Sequence, residues 1–209
     1  MANDDLILAP DAANLLQSGT FCIEEKLDGF NLAITWDDAG WPQPYARSGK
    51  TNGDRGGQLG LVRAWIAGHA PALQAVLADW PVLYAEWLRL RHSAAYDRLP
   101  DWLVVLDLWH PERGFAPVAI RNALCARAGL AVPQAYATSA WPGSAAVEAF
   151  CQHSHYSTGR AEGVILRNPA GGTQGAVAKC LAADFRRISD TEWRAMDNAL
   201  AGNRSANHA

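Results

Sequence analysis

Lys26, in the run Glu24-Glu25-Lys26-Leu27-Asp28-Gly29-Phe30-Asn31, is one of only three lysines in a chain that carries fifteen arginines. A guanidinium stays charged at any working pH, whereas an ammonium can shed its proton and attack an electrophile. A lysine kept where arginine is the general cation, beside an acid and a turn-forming glycine, reads as a covalent nucleophile. Lys179, far downstream in an apolar run, is a second candidate for a special role, and Lys50 in the loop Arg47-Ser48-Gly49-Lys50 is the third. Scarcity alone ranks the lysines; a compositional bias would produce it too. Two carboxylates, Glu86 and Asp107, are embedded in apolar runs of strand length. Desolvating charge is expensive, so charges of both signs at strand positions imply sheets that line a polar cleft.

The elements that position these groups follow from hydrophobic spacing. Residues 21–26 and 30–36, rich in Phe, Ile, Leu and Trp, read as two strands joined by a tight turn at Leu27-Asp28-Gly29. Residues 59–67 carry Leu59, Val62 and Ile66 at helical spacing. Gly68 and Pro71 then interrupt, and a second short helix follows with Leu73, Val76 and Leu77. Val82 to Trp87 and Leu103 to Trp109 read as strands. Pro117 opens a helix that Gly129 closes. Residues 144–151 form a weak helix, Gly163 to Arg167 and Gly175 to Cys180 a strand pair, and residues 189–200 a last helix behind a Ser or Asp cap. Strands do not alternate regularly with helices, so the expected class is α+β with antiparallel sheets rather than a doubly wound parallel fold.

Six segments then fall in an order with a family pattern. Lys26-Leu27-Asp28-Gly29 resembles the KxDG signature of the covalent nucleotidyltransferases, the ATP-dependent ligases and mRNA capping enzymes. Tyr45-Ala46-Arg47-Ser48-Gly49 resembles the Arg-Ser element that follows it there, and Leu83-Tyr84-Ala85-Glu86-Trp87-Leu88 the aromatic-small-Glu motif. The stretch from His92 through Asp97-Arg98-Leu99-Pro100 into Leu103-Val104-Val105-Leu106-Asp107 is similar to the RNA ligases of the branch typified by the phage enzyme that seals nicked double-stranded RNA. Glu162-Gly163-Val164-Ile165 matches the EGxV motif and Ala176-Val177-Ala178-Lys179 the closing lysine motif. The resemblance covers roughly residues 20 to 195, and ordered motifs of this kind are far more specific than any one of them.

This resemblance implies an ATP-dependent RNA ligase. It would load AMP onto Lys26, pass it to a 5′-phosphate end and join that end to a 3′-hydroxyl. ATP is then a substrate and Mg²⁺ (or Mn²⁺) a requirement, with Glu162 the protein ligand of the metal. Lys179 would offset charge on the α-phosphate, and its nearness together with burial would activate Lys26. Glu86 would accept from the ribose hydroxyls, and Arg47 would fix the sugar or the leaving phosphates. Glu25, Leu27, Asn31 and Leu106 fall at nucleotide-contacting positions of the pattern. Asp28 has two readings of equal weight: orienting the nucleophile, or satisfying backbone amides before Gly29. For Asp107 an acid that orders a neighbouring loop is the stronger reading.

The chain departs from the pattern at three places. Leu106 stands where an aromatic ring usually stacks on adenine, forgoing roughly 0.5–1.5 kcal/mol. No cation follows Lys179 within three residues; Leu181 and Ala182 occupy that region, and Arg186 and Arg187 come next. Ala85 replaces a glycine.

Composition sets the outer limits. At 209 residues and 22.5 kDa, a single nucleotidyltransferase domain over 1–209 is expected, with its core at about 20–195 and a frayed C-terminal tail. Thirty residues follow Lys179, too few for an OB barrel. The net charge of −3 argues against nonspecific nucleic-acid coating but leaves room for a local basic patch from Arg89, Arg91 and Arg98. Cys22, Cys125, Cys151 and Cys180 lack ligand spacing and read as reduced thiols. His153 and His155 lack further ligands nearby, while His92 could contact a polynucleotide. With an acidic start and no membrane-length apolar run, a cytoplasmic protein is expected; the resemblance implies RNA ends as its partner, with an end-healing or RNA-binding protein beside it. Two other readings stand: a DNA ligase or capping-type guanylyltransferase, and a degenerate nucleotide- or RNA-end-binding module.

Overall fold

Alternation along the first strand decides how the molecule divides. In β1 (Thr20–Lys26), Phe21 and Ile23 point to one face with Glu25, while Cys22, Glu24 and Lys26 point to the other. The computed structural model describes residues 19–46, 57–173, 175–196 and 202–208. It builds two sheets, with every ladder between named strands antiparallel. The first has the order β7 (Ala135–Ala140), β1, β8 (Gly163–Arg167), β9 (Ala176–Leu181). The second has the order β3 (Pro42–Ala46), β2 (Phe30–Trp36), β4 (Val82–Trp87), β5 (Leu103–His110), β6 (Gly114–Phe115). The fold class is α+β, as the irregular succession of elements implies.

Each sheet buries one apolar face. Phe21, Ile23, Val164 and Leu166 pack with Val147 and Cys151 of helix α3 (Ser144–Cys151). Leu32, Ile34, Leu83, Ala85, Trp87, Val105 and Leu108 pack beneath helix α1 (Gln58–Leu77). Helix α2 (Val118–Ala128) starts behind Pro117 and ends at Gly129, which takes φ 70° as the left-handed cap. Helix α4 (Asp190–Ala195) carries a capping box between Ser189 and Glu192. Residues 197–200, the expected continuation of that last helix, lie outside the described residues.

Three expectations are corrected. The strands flanking Leu27-Asp28-Gly29 do not form a hairpin. Lys26 pairs with Gly163 and Phe30 with Trp87, so these three residues carry the chain from one sheet to the other. Gly29 permits the crossing, since a Cβ there would lie 2.5 Å from the Trp87 carbonyl oxygen. Second, Gly68 and Pro71 do not split the helix: α1 runs for 20 residues with Pro71 inside. The buried stripe Leu59, Val62, Ile66, Ala70, Leu73, Leu77 is unbroken. Its side chains, each worth about 1.5–3 kcal/mol, outweigh the ~3 kcal/mol a mid-helix proline costs. Third, the described part of the tail is not frayed. Asn203 is buried, donating its backbone N–H to Arg89 O (3.1 Å) and its amide to Leu88 O (2.7 Å), and accepting from Tyr96 N–H (2.9 Å). Strands β3, β6 and β7 have no clear signature in the sequence.

Candidate active site

The polar faces of the two sheets look at each other, and Lys26 ends the strand at their junction. Its Nζ donates to Oε2 of Glu162 at 2.6 Å, with the lysine side chain 14% exposed and the glutamate 0%. Glu162 comes immediately before β8, whose first residue, Gly163, is opposite Lys26. That glycine is obligatory on packing grounds: a Cβ would lie 2.1 Å from the Cys180 carbonyl oxygen of β9. Arg187 donates to the other oxygen of Glu162 at 3.1 Å. Burial pushes the Glu162 carboxyl above its ordinary value, with Lys26 the main opposing influence.

Register places the remaining lysine. Lys26, Gly163 and Leu181 form one row across three strands, and Glu24, Ile165 and Lys179 form the next row on the same face. From strand spacing and rise, the Lys26 and Lys179 Cα atoms are roughly 12 Å apart, so two long side chains can converge on one phosphate between them. Lys179 is exposed on this face.

Across the cleft, Glu86 of β4 accepts from the Gly29 N–H (3.0 Å) and the Asn31 side-chain amide (3.2 Å). It is 8% exposed, and burial pushes its carboxyl up to about 7 despite the nearby Lys26. Leu106 falls at the β4–β5 register shift and is half-buried. Asp28 accepts from the backbone N–H groups of Ser93 (2.6 Å) and Ala94 (2.7 Å), while its own N–H donates to the Tyr96 hydroxyl (2.8 Å). It satisfies amides of a different loop and thereby ties residues 93–96 to the turn that follows Lys26.

Two positions of the pattern turn their side chains away. Glu25 is buried on the opposite face of β1, accepting from Ser154 Oγ (2.6 Å), the His155 N–H (2.6 Å) and the Tyr136 hydroxyl (3.1 Å). Leu27 is buried among Leu88, Tyr96 and Tyr156. A nucleotide contact from either residue would therefore run through its backbone. Arg47 lies outside the described residues, as do Ser48, Gly49 and Lys50. The expected basic patch is dispersed: Arg89 stacks over Trp102 at 4.5 Å, and Arg98 bonds the carbonyls of Ser154 (3.1 Å) and Ser157. His155 stacks on Tyr136 at 4.3 Å, and the His92 ring lies 5.5 Å from that of Trp193.

Behind Lys26 is a feature that sequence reasoning missed. Glu24 is paired with both Arg121 of α2 and Arg167 of β8, and Arg167 also donates to Asp107 of β5 at 2.5 Å. Arg121 caps the Leu106 carbonyl at 2.6 Å. Asp107 therefore joins the two sheets rather than ordering a loop; burial raises its carboxyl, with the Arg167 charge opposing. The period-2 relation of Glu24 to Lys26 put an acid on the active face. Nothing local in the sequence marks Arg121 or Arg167 as its partners.

The donors present fit a divalent cation in only one way. Among the described residues no three His, Cys, Asp or Glu side chains gather as a metal cage. A hard ion that keeps its waters and arrives on nucleotide phosphates needs only one or two carboxylates. Glu162 is the carboxylate at the junction, and its two oxygens face Lys26 and Arg187.

Two antiparallel sheets facing across a charged cleft, with a buried glutamate holding a lysine at their junction, define a nucleotidyltransferase domain of the polynucleotide ligase type. The sequence model of the RNA ligase family matches residues 19–181, and the chain belongs to that family. An archaeal ATP-dependent RNA ligase is similar in structure, with TM-score 0.56 and 20% identity over 81% of this chain and 44% of that one. A mutant Naegleria gruberi RNA ligase in its apo form gives TM-score 0.59 at 10% identity, covering 89% of this chain and 53% of that one. Another mutant of the same Naegleria enzyme, solved with ATP and Mn, gives TM-score 0.56 at 12% identity over 89% and 53% of the two chains. The chain thus spans about half the length of the solved proteins it resembles. No curated protein matches the sequence. Among the described residues no helix is long and apolar enough to cross a membrane.

Proposed function

We propose that the protein is an ATP-dependent RNA ligase that adenylylates itself on Lys26, transfers AMP to a 5′-phosphate end and seals that end to a 3′-hydroxyl. The carrying observation is the Lys26–Glu162 contact of 2.6 Å inside a cleft with Glu86 on the facing wall. A paired ammonium has no lone pair, so the first event is loss of a proton from Nζ, and Glu162 is the acceptor in contact. Burial, which favours its neutral form, suits it to that task. The amine then attacks the α-phosphorus, the bond to the bridging oxygen breaks, and pyrophosphate departs with that electron pair. The second proton then passes from nitrogen to solvent, leaving a phosphoramidate whose nitrogen is neutral.

Glu86 accepts from the ribose hydroxyls with the lone pairs that Gly29 and Asn31 leave open. Leu106 covers the purine face, and Lys179 offsets charge on the α-phosphate. When bound, Mg²⁺ or Mn²⁺ would screen the triphosphate, with Glu162 as its protein ligand once that carboxyl has passed its proton on to solvent. In the second half-reaction the 5′-phosphate displaces the lysine nitrogen and AMP moves to the RNA end. In the third the 3′-hydroxyl displaces AMP. The domain is proposed to carry the first of these steps within residues 1–209, with RNA as partner.

Incubation with α-labelled ATP and a divalent metal should leave label on the wild-type protein and none on Lys26→Ala. An unlabelled wild type, or equal label on both, rejects the proposal. Comparing ATP with GTP, and nicked RNA with nicked DNA, separates it from a guanylyltransferase or a DNA ligase.

A further inference from the structure

Glu162 bonds two cations, yet the reaction proposed for Lys26 removes one of them. Once its nitrogen is bonded to phosphorus, Lys26 carries no positive charge, while the α-phosphate it has gained keeps a negative one. A cation in place beside Lys26 must then face that phosphate. Resting on the function proposed above, we propose that Arg187 is a phosphate-contacting residue of the nucleotide site, the charge that remains when Lys26 has given up its own.

The geometry selects Arg187 among its neighbours. Position 181 shares a row with Lys26 and Gly163 on the cleft face, yet it holds a leucine that is 48% exposed. Arg186, one residue earlier, turns away onto Glu192, where both side chains are well exposed. Arg187 instead reaches the carboxylate that holds the nucleophile. Its side chain is 38% exposed, so it reaches Glu162 without being sealed in the core. A guanidinium has five N–H donors, and among the described residues one contact, to Glu162, engages it. The rest suit phosphate oxygens, which accept charge-assisted bonds from arginine in paired fashion.

Arg187 is also held at a fixed distance from the nucleophile. The Ile188 N–H donates to Ser93 Oγ at 3.0 Å, and the Ser93 N–H donates to Asp28 at 2.6 Å. Asp28 is two residues from Lys26 in the chain. Two hydrogen bonds thus brace the segment bearing Arg187 against the turn bearing the amine, and the capping box at Ser189 stops the segment on its other side. Bracing of this kind presents a charge without reorganisation when the phosphate arrives.

The test compares binding of AMP with binding of adenosine by titration calorimetry, in wild type and in Arg187→Ala, Arg187→Lys and Arg187→Ala/Leu181→Lys. Wild type should bind AMP more tightly than adenosine. Arg187→Ala should weaken AMP binding about ten- to thirtyfold, the range of a partly screened charged hydrogen bond, and leave adenosine unchanged. Arg187→Lys should recover most of the preference. Leu181→Lys in the Arg187→Ala background should recover part of it, by returning a cation to the row of Lys26. Equal loss of AMP and adenosine would mean that Arg187 merely shapes the cleft, and undiminished AMP preference in Arg187→Ala would mean that it touches no phosphate; either overturns the proposal. A wild type that binds neither ligand and takes no label from ATP instead rejects the underlying ligase reading.

Discussion

Replacing Glu86 by glutamine should make the protein more stable at alkaline pH and worse at holding nucleotide. Burial pushes this carboxyl from its ordinary 4.5 up to about 7. A carboxyl whose folded value lies above its unfolded one contributes stability that is fully present below about 4.5 and is lost as pH rises through about 7. The loss at pH 8 is about 3 kcal/mol, because each tenfold change in proton affinity is worth about 1.4 kcal/mol. Glutamine has no charge to desolvate, keeps a carbonyl for the Gly29 N–H, and can offer its own amide to the Asn31 side-chain oxygen. The variant should therefore match wild type near pH 5 and melt about 6–12 °C higher at pH 8, given ~2–4 °C per kcal/mol for a domain of this size. Thermal unfolding followed by circular dichroism at pH 5, 6, 7 and 8 gives the comparison. An offset that is the same at every pH, or a wild type that gains on the variant as pH rises, would refute the reasoning. In the same protein, nucleotide binding should drop, because a ribose diol prefers a carboxylate acceptor.

Three other outcomes are expected. Arg167→Met should leave Glu24 and Asp107 buried short of a cation and destabilise by about 3–5 kcal/mol at pH 7.5. Because burial already raises Asp107, that penalty should shrink towards pH 5 as carboxyls take up protons, which denaturant melts at the two pH values would reveal. Gly163→Ala places a methyl 2.1 Å from the Cys180 oxygen, so β9 must move off β8. Hydrogen exchange should then accelerate at Lys179 and Cys180 while Leu83 and Val105, in the other sheet, stay protected. Leu106→Phe, at a half-buried position where the family pattern has an aromatic ring, should tighten AMP binding by about 0.5–1.5 kcal/mol in calorimetry.

Much of the candidate site was legible in the chain because it is local. Lys26-Leu27-Asp28-Gly29 and Glu162-Gly163 each package a charged group of that site with the glycine that lets a neighbouring strand approach, and both glycines prove to be positions without room for a methyl. Helices announced themselves through stripes, and the misreading at Pro71 came from weighing one residue above a stripe that continues past it. What stayed hidden is what depends on sequence-distant encounters. Glu24 meets Arg121 across 97 positions and Arg167 across 143, and Glu162 meets Arg187 only after β8 and β9 have intervened. No local pattern encodes which buried arginine answers which buried acid. The link at residues 27–29 was misread for the same reason, since a hairpin and a crossing between sheets share their turn chemistry and differ only in the partners that β8 and β4 provide.

The bond between Arg167 and Asp107 also bears on how anything enters the cleft. Charge staples the two sheets together behind Glu24, and a three-residue peptide joins them beside Lys26. Halves fastened at two places do not swing apart like a jaw. A ligand for Lys26 would thus meet walls already held at a set separation, and shape would be judged ahead of bonding.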